Sequence, residues 1–171
     1  MDKEFSARII AAARKYVGTP WMHQGRVTSL DCVGLALAVA EDLGLRDREG
    51  KPILRVDYMN YARQPRDNFL DAECARRLIA RPLAELAPGM LAILRAPLCH
   101  AGIVASVAHN GVPEYLTLIH AHAVHKIAEH RIDEIWRSRI VACFSFPQAP
   151  LAGDLGGPSV SAGASRSGEA S

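Results

Sequence analysis

Residues 18–45, GTPWMHQGRVTSLDCVGLALAVAEDLGL, run from a loop rich in Gly, Pro and polar residues straight into an apolar helical stretch, with Asp31 and Cys32 at the join. An aspartate there is a strong helix N-cap, because its carboxylate accepts a backbone N–H that the first turn leaves unpaired. Cys32 then takes the first helical position, where the remaining N–H groups and the positive end of the dipole favour a thiolate and lower the thiol pKa. Such a sulfur is a nucleophile if a base stands near it. The competing reading of a lone cysteine is a small buried hydrophobe.

The bases on offer lie in the second half of the chain. His100 opens the run HAGIVAS, and His120 sits in LTLIHAHAV. If these runs pair as an antiparallel hairpin about AHNGVPE, with its turn near Asn110-Gly111, both histidines come to one end of a sheet. One imidazole then faces the thiol while the other orients it through the remaining ring nitrogen. In the loop ahead of the cysteine, Trp21, His23, Gln24 and Asp31 are the candidate substrate-binding residues. His109, His125 and His130 read as surface or structural groups. A metal site is the chief rival: His120 and His122 share a strand face and, with His100, could ligate zinc in a hydrolase whose Cys32 is merely buried, although no acidic base is placed beside them. The thiol reading needs neither metal nor cofactor.

The elements that must position these groups follow from periodicity. Phe5, Ile9, Ala12, Ala13 and Tyr16 mark one face of a first helix, and Cys32–Leu43 is apolar nearly all round, as in a helix buried on most sides. A helical turn near Tyr58–Tyr61 and a helix over Asn68–Ala80 are expected next. From Pro88 the period shortens. GMLAILRA, HAGIVASV, YLTLIHAHAV, KIAEHRID and RIVACFSF are β-prone runs separated by Pro, Gly, Asn and charged residues. Helices followed by an antiparallel sheet define an α+β layer fold. Residues 1–147 form one domain, and 148–171, almost without large apolar residues, read as a flexible tail.

Bulk composition narrows the class. The chain has 171 residues, 49% of them hydrophobic and 22% charged, with a formal net charge of +2. That is ordinary globular composition, and without a basic stripe interleaved with aromatics nucleic acid is not an expected partner. The four cysteines, Cys32, Cys74, Cys99 and Cys143, form no C-x-x-C pair, which argues against a disulfide framework or zinc knuckle. Cys74 and Cys99 read as free thiols, and Cys143 as a core strand residue. The N-terminal stretch lacks the basic region and continuous apolar run of a secretory signal, and no run is long enough to cross a bilayer. Synthesis in the cytoplasm without a signal peptide, and no membrane insertion, are therefore expected.

GTPW, DCVGL, the PG before the strand run, HAGIV, and IHA followed by EHR together resemble the NlpC-type cysteine peptidases, closest to the branch encoded in phage tail operons and phage-derived gene-transfer particles. The likeness runs from Phe5 to Phe146. It implies a papain-like fold with the nucleophile's helix packed on the sheet. It also implies Cys32 as nucleophile, His100 as general base and later acid, and His120 as the third, orienting residue. The reaction it implies is hydrolysis of an amide in peptidoglycan stem peptides, beside D-glutamate and a diamino acid, through a thioester. Bacterial peptidoglycan and phage-tail or baseplate-like proteins are the implied partners, and a tail-associated hydrolase acting in the periplasm or cell wall is the implied setting. A catalytically silent tail or peptidoglycan-binding protein is the alternative from another class. Three positions depart from the usual pattern: Val33 stands where Ser follows the nucleophile, Trp21 where Tyr follows GTP, and Met90 where PGDL has Asp.

Overall fold

The computed structural model describes residues 2–57, 60–63, 69–95, 99–109, 112–122 and 126–148. Helices α1 (Lys3–Arg14), α2 (Cys32–Asp42) and α3 (Phe69–Arg77) come first. Strands β1 (Ile79–Arg81), β2 (Leu91–Leu94), β3 (His100–His109), β4 (Val112–His122) and β5 (Lys126–Arg131) follow, and a short helix α4 (Glu134–Arg139) leads into β6 (Ile140–Ser145). The six strands form one sheet in the order β1-β6-β2-β3-β4-β5, every pair antiparallel. This is the expected α+β architecture. Among the described residues no helix is long and apolar enough to cross a membrane.

Alternation along the strands divides the core. Ala101, Ile103 and Ala105 of β3, with Ile119 and Ala121 of β4 and Ile127 of β5, pack in one cluster with Ile9 and Ala13 of α1 and Leu35 and Val39 of α2. Val104 and Leu118 instead join Leu94, Ile140 and Cys143 in a second cluster, against which Trp136 of α4 packs. Cys143 is thus the core strand residue expected. His100, Gly102 and Val104 alternate with the first set along β3, as do Leu118 and His120 along β4.

Two stretches differ from the periodicity. The helix expected over Asn68–Ala80 ends at Arg77, and Ile79–Arg81 pair with Cys143–Ser145 as β1. Leu78 makes a last N–H bond to the Cys74 carbonyl oxygen at 2.7 Å. Pro82 then disfavours helical backbone at Arg81. Between β5 and β6, Asp133 accepts the Trp136 N–H at 2.8 Å and starts α4, whose last turn carries Arg137 and Arg139. The turn expected at Tyr58–Tyr61 falls partly, and the 148–171 tail almost wholly, outside the described residues.

Helix α2 is fixed at both ends. At its C-terminus Gly44, at φ +63°, closes the helix with two bonds, Gly44 N–H to Glu41 O at 3.0 Å and Leu45 N–H to Ala40 O at 2.8 Å, the pairing of a Schellman cap. At its N-terminus, Gly34 packs so close to the preceding loop that a Cβ there would lie 2.4 Å from the Gly25 carbonyl oxygen. Alanine normally favours a helix over glycine by about 1 kcal/mol, but this contact is with backbone and something must shift. Gly34→Ala should therefore destabilise the fold by about 1–3 kcal/mol, read as a lower urea midpoint. An unchanged or raised midpoint would show that the loop does not abut the helix.

Candidate active site

Asp31 holds the start of α2 through both carboxylate oxygens. One accepts the Gly34 N–H at 2.8 Å; the other accepts the Gln24 N–H at 2.7 Å and the Tyr61 hydroxyl. The cap expected at this position is present, and it is buried. Gln24 reaches it with φ +58°, a left-handed backbone that a non-glycine residue adopts at some cost. Its side-chain amide donates to the Tyr61 carbonyl oxygen at 2.8 Å, and His23 Nε2 meets the same oxygen at 3.1 Å. The loop before Cys32 and Tyr61 are thereby locked to one carboxylate.

Cys32 occupies the first position of α2, half-buried, with the backbone N–H groups of Ala101 and Val33 directed at its sulfur. These donors favour the thiolate. Burial opposes them most strongly and the Asp31 carboxylate adds to it, so the thiol pKa is pushed up to about 12. The lowered pKa expected for a helix N-terminus is not what this site shows. Desolvation and a capping carboxylate next door outweigh the dipole, and Cys32 rests as a neutral S–H.

His100 shares a cavity of about 150 Å³ with Cys32, lined also by Trp21, His23, Asp31 and Tyr61. Leu37, Ile53, Leu91 and Phe146 give it apolar lining as well. The histidines form a chain across the sheet. His100 Nε2 lies 2.6 Å from His120 Nδ1, and His120 Nε2 lies 2.7 Å from His130 Nε2. His130 Nδ1 is 2.9 Å from the Arg131 carbonyl oxygen. The rings meet edge to face at centroid distances of 4.9 and 4.7 Å, and Trp136 lies against His130 at 4.3 Å. Strand register explains the diagonal line: Gly102 faces His120 across β3–β4, and Leu118 faces His130 across β4–β5. Gly102 makes room for it, since a Cβ there would meet His120 Cβ at 3.0 Å and the Leu118 side chain at 2.8 Å.

The predicted residues thus divide. Cys32 and His100 line one cavity, and His120, only 2% exposed, lies behind His100. Trp21 also lines the cavity, under the Arg63 guanidinium at 4.8 Å. His23 and Asp31 line it too, but their polar atoms are engaged in holding the loop. Gln24 is not among the lining residues and braces Tyr61 instead. His130, read from sequence as surface or structural, is bonded to His120. The His109 and His122 side chains and all of His125 lie outside the described residues. For the zinc alternative, two nitrogens on one tetrahedral zinc stand about 3.3 Å apart, whereas those of His100 and His120 are at hydrogen-bond distance from each other; no group of three potential ligands suited to a metal occurs among the described residues.

Sequence reasoning missed Tyr61, thirty residues beyond Asp31, as well as the Ala101 N–H, His130 and Trp136. For His130 there was a faint signal: it shares a face with Ala128 in a strand beside the one bearing His120. Only the strand register makes it a neighbour.

No family model matches the chain, and no curated protein does. Among solved structures, the chain is similar to a protein described as similar to lipoprotein, of the NLP/P60 family, from Staphylococcus aureus subsp. aureus Mu50. Identity is 20%, the TM-score is 0.53, and the match covers 87% of this chain. It covers 43% of the other, so this chain spans less than half that protein's length. The likeness establishes the class: a papain-like α+β fold with the Cys32 helix packed on an antiparallel sheet.

A neutral resting thiol has a direct readout. Iodoacetamide labelling of Cys32, followed by peptide mass spectrometry to separate it from Cys74 and Cys99, should rise steadily from pH 6 to pH 9 without levelling. Burial also pushes Cys74 up to about 12 and raises Cys99, so each thiol is followed on its own peptide. A Cys32 rate that levels off below pH 7 would reveal a stabilised thiolate and contradict this electrostatic account.

Proposed function

We propose that the chain is an NlpC-type cysteine peptidase that hydrolyses an amide bond in peptidoglycan stem peptides. The observation that carries the reading is a cysteine at the first turn of a buried helix, sharing a cavity with a histidine that a second, buried histidine holds in place. The papain-like fold and the DCVGL, HAGIV and IHA motifs support the family. The motifs shared with the phage-tail branch support a tail-associated hydrolase, with neighbouring tail proteins as partners and the cell wall as its place of action.

In this mechanism His100 takes the Cys32 proton as the sulfur attacks the amide carbonyl carbon. Because the thiol rests neutral, proton transfer accompanies attack rather than preceding it. The tetrahedral oxyanion meets backbone N–H groups at the start of α2, with the Cys32 N–H as the natural donor, since an amide at that position has no intrahelical acceptor. His100 then protonates the leaving amine and the C–N bond breaks, leaving a thioester on Cys32. Water, deprotonated by His100, attacks the thioester; the carboxylic acid departs and the thiol is restored. His120 holds the His100 ring throughout.

Purified sacculi test this directly. The wild-type chain should release muropeptides carrying new amino and carboxyl ends, identified by mass spectrometry. Cys32→Ala should lower release by at least about 10³-fold with an unchanged circular dichroism spectrum, and His100→Ala should remove nearly as much, since members of one catalytic unit are not additive. Undiminished release by Cys32→Ala would refute the assignment. A wild-type chain that binds sacculi but cuts nothing would favour the silent binding protein.

A further inference from the structure

We propose that His130 is a positioning residue that sets the tautomer of the whole histidine chain, and so decides which nitrogen of His100 is available as a base. The inference rests on the reading of Cys32 and His100 as the catalytic pair. A carbonyl oxygen only accepts hydrogen bonds, so the His130 nitrogen 2.9 Å from the Arg131 carbonyl oxygen, Nδ1, carries the proton. In neutral His130 the other nitrogen, Nε2, is then bare. It accepts from His120 Nε2–H across 2.7 Å, which leaves His120 Nδ1 bare. That atom in turn accepts from His100 Nε2–H across 2.6 Å. The bare nitrogen of His100 is therefore Nδ1, the acceptor for the Cys32 proton. One backbone carbonyl thus dictates the direction of every bond in the chain. After His100 has taken the proton, its Nε2–H still donates to His120, and no ring need turn during the reaction.

The surroundings hold His130 in this role. Trp136 packs on its ring at 4.3 Å, and Leu118 is its partner across the strand pair. Its neighbour Glu129 is pinned by Arg14 of α1 at 2.8 Å and by the Thr117 hydroxyl at 2.7 Å. Farther along the same strand, Ile127 exchanges backbone hydrogen bonds with Gly18 and Thr19, both at 2.8 Å, in the loop that leads to Cys32. Strand β5 is thus tied to the nucleophile's side of the molecule while it carries the anchor of the chain. A side chain that merely filled space beside Trp136 would need no nitrogen; a tautomer anchor needs an acceptor facing His120.

Two arms test the proposal. In ¹⁵N-histidine-labelled protein at a pH where the rings are neutral, ring nitrogen shifts should show His130 protonated at Nδ1 and both His100 and His120 protonated at Nε2; His130 protonated at Nε2 would overturn the proposal. In the kinetic arm, His130→Leu keeps bulk against Trp136 but cannot accept, and should lower kcat about 10–100-fold, the range of lost orienting partners, with KM within twofold. His130→Gln, whose side-chain carbonyl can accept from His120, should recover most of that loss. Equal rates for the Leu and Gln variants, both with wild-type circular dichroism, would make the role structural and overturn the proposal. A wild-type chain with no turnover would overturn the catalytic reading instead, and the ¹⁵N spectrum would still decide the direction of the chain.

Discussion

The Asp31 carboxylate is the constraint on which the site depends. It accepts from the Gly34 N–H, the Gln24 N–H and the Tyr61 hydroxyl, which come from the helix, the preceding loop and a position thirty residues on. An N-cap alone contributes about 0.5–2 kcal/mol. This one also decides where α2 begins, and therefore where the sulfur of the next residue stands. The same negative charge disfavours a thiolate beside it. A helix terminus supplies about 0.3–1 kcal/mol to a neighbouring charge, and burial together with Asp31 overrides that, with the thiol pushed up to about 12. Geometry is secured at the expense of acidity. In the proposed mechanism, a site built in this way needs a well-directed base more than one with a ready-made thiolate would.

The sheet supplies that direction. Because side chains alternate, β3, β4 and β5 can send apolar residues toward α1 and α2 while placing His100, His120 and His130 in a diagonal line elsewhere. Gly102 is part of this design: it stands opposite His120, where even a methyl group would crowd the His120 Cβ and the Leu118 side chain. Buried His120 has hydrogen-bond partners on both ring nitrogens, as a polar group removed from water requires. The core clusters on the two faces keep the strands in register, and with them the spacing of the rings. Packing and chemistry therefore rest on the same alternation.

Much of this was legible in the residues. Asp-Cys at the mouth of an apolar run marks a capped helix start, and period-2 runs after Pro88 mark the strands, since both patterns are local. The sign of the Cys32 shift was not legible, because the dipole can be inferred from position whereas desolvation depends on what the fold places around the sulfur. Strand β1 is three residues long and follows a helix without a glycine between them, so its pattern merges with the helical one. Tyr61 and His130 join the site through contacts set by loop path and strand register, which no short window of sequence contains. Helix α4 is only six residues long, too short for periodicity, and its clearest mark is the Asp133 cap.

In the proposed mechanism Cys32 forms a covalent bond to the substrate's acyl group. Rapid acid quenching during turnover of a muropeptide substrate, followed by peptide mapping, addresses it most directly. The account predicts an acyl adduct on the Cys32 peptide that hydroxylamine releases, and loss of turnover in step with alkylation of that same cysteine. Turnover that persists undiminished after Cys32 is fully alkylated, with no adduct on its peptide, would contradict it.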